Sequence, residues 1–181
     1  MTKKFNKIKI CSIPLFIMLF ALAGCSYKNK NYTDNHSTDD HSIANNDSFS
    51  CQNSNFNVSD DGKSFFAEIG NLDGHFELAK TDVQNDCDVE IYFSGNIKSG
   101  KAKLVLVKPD ASVEILKEMS TDENNSYEEN LRVSCDTGIN KIKIVGENYS
   151  GSFEITQNNN RLFNYTIDNM FDESFPFNSK D

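Results

Sequence analysis

From residue 63 onward, apolar and polar positions alternate in short segments separated by turn residues, the pattern of half-buried strands joined by tight connections. The alternation predicts strands near 63 to 69, 74 to 80, 88 to 94, 102 to 108, 112 to 118, 126 to 134, 139 to 146 and 150 to 156. In the third segment Val89, Ile91 and Phe93 share one face while Asp88, Glu90 and Tyr92 share the other, so one strand serves both core and surface. Leu104 and Leu106, Leu131 and Val133, Ile142 and Ile144, and Phe153 and Ile155 repeat the pattern. Lys108-Pro109-Asp110, Asp136-Thr137-Gly138 and Asn148-Tyr149-Ser150-Gly151 read as turns between them.

Strands about every ten residues, with no amphipathic helix long enough for a crossover, predict an all-β domain. The expected architecture is an antiparallel β-sandwich, immunoglobulin-like or jelly-roll-like, of about seven to nine strands over residues 63–168. The 113 to 120 stretch also suits a helical turn, and Leu162, Phe163, Tyr165 and Ile167 suggest a last strand. Residues 25–62 are rich in Asn, Asp and Ser with isolated apolar residues such as Ile43, Phe49 and Phe56, the composition of a disordered tether. Residues 169–181 are expected to be loosely held.

The N-terminus has a different pattern. Lys3, Lys4, Lys7 and Lys9 precede an apolar run from Ile10 to Ala23, too short for a bilayer-spanning helix and the right size for a secretory signal. The run ends in Leu22-Ala23-Gly24-Cys25. This tetrapeptide resembles the lipobox of bacterial lipoprotein precursors. The resemblance implies that residues 1–24 are a cleaved signal peptide, with Leu22, Ala23 and Gly24 recognised by the signal peptidase. It further implies that the Cys25 sulfur carries a diacylglycerol thioether, so the partner of the mature N-terminus is the lipid bilayer and the location is the extracytoplasmic face of the cell membrane. The segment from Gly138 to Ile155, with Leu104 to Asp110, also resembles small β-sandwich domains of uncharacterised Gram-positive lipoproteins.

Cleavage would change the charge balance. The whole chain carries 18 basic and 27 acidic side chains, a formal charge of -9, and loss of four lysines leaves 14 against 27, or -13. With two arginines and no basic stripe, nucleic-acid binding is excluded as an expectation. An acidic surface first of all keeps a domain soluble and off anionic surfaces.

Three cysteines remain after Cys11 and Cys25. Cys87 and Cys135 have the parity of inward-facing neighbours, making them either a disulfide bridging the two sheets or unpaired core thiols, while Cys51 in the tether is a third thiol able to join either or to link two molecules. No nucleophile elbow, phosphate loop or zinc-helix motif occurs, so neither catalysis nor a cofactor is expected. Asp34, His36, Asp39, Asp40 and His41 cluster in the tether without packing to organise them as metal ligands. His75 shares parity with Glu77 and reads as an exposed side chain, and Asp82, Asp86 and Asp88 are loop acids that a loose calcium site would use.

The binding candidates are aromatic. Tyr92 lies on a polar face with Glu90 and Ser94, Tyr127 and Tyr149 sit near predicted turns, and adjacent Phe65 and Phe66 must point opposite ways, exposing one. The functional expectation is a lipid-anchored envelope protein that displays a small sandwich for binding an envelope protein partner, or alternatively a carbohydrate or cell-wall glycan through Tyr92.

Overall fold

The computed structural model of the chain describes residues 37–122, 125–158 and 162–166. The candidate signal and lipidation residues and the tail from 169 lie outside them. The elements are a short helix, α1 (Asp40–Asn45), and eight strands: β1 (Ser48–Gln52), β2 (Asn55–Val58), β3 (Ser64–Val83), β4 (Cys87–Val107), β5 (Val113–Ser120), β6 (Ser126–Cys135), β7 (Gly138–Gln157) and β8 (Asn164–Tyr165).

All pairings are antiparallel, and three long strands, β3, β7 and β4, form the centre of the network. The first half of β3 pairs with β2 and the last third of β7, whose other side meets the start of β4 and then β6. The second half of β3 pairs with β1, β8 and the first half of β7, followed by the end of β4 and then β5. Each long strand therefore runs through both layers of an antiparallel β-sandwich. The first layer is β2-β3-β7-β4-β6 and the second is β1/β8-β3-β7-β4-β5.

The layers are joined along a corner where the register shifts, near Ile69 to Gly74 in β3, Ile97 to Lys101 in β4 and Gly146 to Gly151 in β7. Glycine is needed here for two separate reasons. Gly74 has φ +103°, and a Cβ on it would lie 2.1 Å from the Ser48 carbonyl oxygen. A Cβ on Gly151 would lie 2.2 Å from the Asn96 carbonyl oxygen, so two backbones meet there without room for a side chain.

The expected turn at 148 to 151 is thus corrected: it is a corner inside β7, and the paired segments on either side of it are one strand. The same holds for the predicted breaks inside β3 and β4. By contrast Lys108-Pro109-Asp110 is a true turn, with the Lys108 amide donating to the Ser112 carbonyl at 3.0 Å, and Asp136 to Gly138 links β6 to β7. Residues 113 to 120 are strand β5, not helix.

The inner faces meet in one core. Phe56 of the first layer stands edge-on to Phe76 of the second at 5.9 Å, and Phe65 stacks on Tyr165 at 5.4 Å. Phe163 is fully buried, held by Gln157, whose side chain accepts from the Phe163 amide and donates to its carbonyl.

Ordered structure begins well before the expected boundary at 63. Ile43 of α1 packs on Val105, Val107 and Val145, which point outward from the second layer. The buried Lys143 donates to the Asn46 carbonyl at 2.7 Å and the Asp47 carboxylate at 2.8 Å. Asp39 caps α1 by accepting from the Ser42 amide. The stretch from residue 37 to 62 is folded, not a tether, with residues 37–47 a strap over the second layer and β1 and β2 extending the second and first layers. Its apolar residues are isolated in sequence and gain burial only against the sheet.

Candidate functional site

With α1 covering the second layer, the sheet face left open among the described residues is the outer side of the first layer. Strand register alone assembles a row across four strands: Phe66 of β3 opposite Glu154 of β7, Glu154 opposite Ser94 of β4, and Ser94 opposite Glu128 of β6. One row away lie Thr156, Tyr92 and Asn130, and on the other side Glu68, Ser152, Asn96 and Ser126. Among them Phe66, Tyr92, Ser94, Asn96, Glu128 and Glu154 line a shallow trough of about 390 Å³. That volume falls within the range of small-ligand sites.

Two aromatic rings flank the centre. Phe65 is fully buried and Phe66 is 38% exposed, so the adjacent pair divides between core and trough as alternation requires. Tyr92 is half-buried, and its hydroxyl donates to a Glu128 carboxylate oxygen. Phe66 and Tyr92 sit two strands and one row apart, a Cα separation of roughly 12 Å at ordinary strand spacing and rise.

The electrostatics are one-signed. Neither Glu128 nor Glu154 is ion-paired among the described residues, while other carboxylates of the domain are, including Glu68 with Lys98 and Asp88 with Arg132. The Tyr92 phenol is held above its ordinary range, first by the hydrogen bond to Glu128, then by desolvation and the charges of Glu128 and Glu154. Glu154 accepts from the Thr156 hydroxyl at 3.3 Å.

Of the remaining candidates, Tyr127 forms part of the trough wall but is fixed by packing, its hydroxyl bonded to both the amide and the carbonyl of Ser120 at 2.9 Å. Tyr149 is corrected from turn to core: it is fully buried, and burial pushes its phenol well above the usual range. His75 is also corrected. Its side chain faces outward as parity predicts, but α1 covers it, leaving it fully buried with Nε2 3.2 Å from the Ser42 hydroxyl.

Cys87 and Cys135 are directly opposite on β4 and β6 within one layer, so the expectation of a bridge between the two sheets is corrected by the register. Both are thiols, Cys87 half-buried and Cys135 buried, with Cys135 pushed up to about 12, mainly by burial and then by the neighbouring Cys87. Cys51 is a buried thiol in β1. Of the loop acids, Asp86 accepts from the Thr137 amide and hydroxyl, and Asp88 is lowered to about 2, first by its bond from Arg132 and then by that from Ser134. Among the described residues no group of three or more His, Cys, Asp or Glu side chains is placed to hold a metal ion.

No protein-family model matches the sequence, and no curated protein matches it. Among solved structures it is similar to a mutant family 29 carbohydrate-binding module complexed with mannohexaose, with 13% identity and TM-score 0.37 over 67% of this chain and 82% of that one. A second mutant of that module gives 12% identity and TM-score 0.36 over 67% and 77% of the two chains. A family 29 module without a stated mutation gives 12% and 0.31 over 67% and 80%.

Proposed function

We propose that this chain is a non-catalytic binding protein of the cell envelope, held to the membrane through a lipid on Cys25, and that the first-layer trough receives a carbohydrate. The observation that carries the ligand assignment is the placement of Phe66 and Tyr92 on one open sheet face, with hydroxyl, amide and carboxylate groups between and beside them. Sugar rings offer apolar C–H faces that stack on aromatic rings and hydroxyls that bond to such groups. Twin aromatics about 12 Å apart suit an extended oligosaccharide lying across the strands.

Eleven residues, 26–36, lie between Cys25 and the first described residue, Ser37. Helix α1, the described element nearest in sequence to Cys25, lies over the second layer, while the trough is on the outer face of the first. The lipobox supports the anchor, and the acidic surface argues against nucleic acid as partner.

Two experiments test the two halves. Replacing Cys25 by Ala is expected to abolish lipid labelling and detergent-phase partitioning in cells that process lipoproteins; unchanged partitioning contradicts anchoring. A glycan array probed with the protein is expected to give hits that disappear in Tyr92→Ala, and a blank array contradicts the ligand class.

A further inference from the structure

We infer that the trough selects carbohydrates bearing free, protonated amino groups over neutral and anionic ones. This rests on the reading of the trough as a glycan site and adds the charge of the ligand. Glu128 and Glu154 flank Ser94 on the two neighbouring strands of the same row, so their carboxylates border the trough from both sides. Neither is neutralised by a cation of this chain among the described residues. The nearby Lys98 is engaged by Glu68 at 3.7 Å, and Arg132, two register positions beyond Asn130 on β6, is engaged by Asp88.

Among the described residues no basic side chain lines the trough. The two aromatic rings point the same way, because the negative face of an aromatic ring attracts an ammonium as well as stacking on an apolar sugar face. A neutral sugar would use the rings and hydroxyls but leave both carboxylates without a counter-charge. An anionic sugar would be repelled by them and by the -9 charge of the whole chain. A hexosamine unit without its acetyl group supplies in one residue the ring face, the hydroxyls and the cation. Charge complementarity therefore commits the site to an amino-sugar polymer.

The test is calorimetric titration of the full chain in detergent, at low ionic strength and about pH 6, with three probes of equal length: a glucosamine oligomer, its fully N-acetylated form and a neutral glucose oligomer. The glucosamine oligomer is expected to bind about tenfold or more tightly than the other two, and added salt is expected to remove the difference. Glu128→Gln with Glu154→Gln is expected to abolish the preference at an unchanged thermal midpoint. Equal binding of all three probes overturns the charge selection and leaves the glycan reading standing. Binding of none by a folded chain overturns both. A preference that survives the double Gln variant overturns the assignment to these carboxylates.

Discussion

The Tyr92 hydroxyl donates to the Glu128 carboxylate across the β4–β6 pair, tying the one aromatic side chain that parity singled out on β4 to an acid 36 residues further along. The bond orients the ring at the trough and makes loss of the phenolic proton unfavourable, because a phenolate would face Glu128 and Glu154. Glu128→Gln is therefore expected to move the Tyr92 phenol down toward its ordinary value of 10, read by ultraviolet titration against the Tyr92→Phe variant. An unchanged titration would show that the two groups do not interact in solution.

A second expectation concerns the corner of the sandwich. Gly151→Ala places a methyl 2.2 Å from the Asn96 carbonyl oxygen, and relief requires β4 and β7 to separate. Such a clash is expected to cost about 2–4 kcal/mol, seen as a lower urea midpoint at unchanged slope. A midpoint equal to that of the parent would mean the corner is looser than described.

These corners also explain what the sequence concealed. The alternation of Val89, Ile91 and Phe93 identified core and surface faces, and Ile91 and Phe93 are indeed fully buried. But a strand that bends from one layer into the next uses the residues of a turn, Asn71 to Gly74 or Asn148 to Gly151, so local composition divided long strands into shorter ones. Ile43, Cys51 and Phe56 sit among polar neighbours and lack periodicity; their burial comes from contacts with residues 65 to 145, which no local window contains. Tyr92 and the Phe65–Phe66 pair were legible because exposure follows parity within a strand. Glu128 and Glu154 were not, because their meeting depends on the register of strands distant in sequence.

The strap is expected to contribute measurably to stability. Ile43→Ala removes a buried side chain from Val105, Val107 and Val145 and is expected to cost about 2 kcal/mol. Limited proteolysis is the sharper readout, with cleavage between residues 37 and 47 accelerated relative to the rest of the domain. Equal cleavage of parent and variant would mean that the strap is undocked.

Cys87 and Cys135, opposite one another on adjacent antiparallel strands, have a Cα separation of about 4.5–5.5 Å by strand geometry, within disulfide range. Exchange with a small disulfide oxidant is expected to begin at the half-buried Cys87 and end in a Cys87–Cys135 bond, releasing two equivalents of the oxidant's thiol. Buried Cys51 is expected to stay reduced, its thiol pushed up by burial. Peptide mapping that finds Cys87 and Cys135 separately alkylated after oxidation would contradict this pairing.

The central claim, that the first-layer face is the binding surface, is tested most directly by amide chemical-shift mapping with an oligosaccharide identified on the array. The account predicts shifts concentrated at Phe66, Tyr92, Asn96, Glu128 and Glu154, and their loss in Phe66→Ala with Tyr92→Ala while the remaining spectrum stays folded. Shifts clustered on α1 and the second layer, or binding undiminished in the double variant, would contradict it.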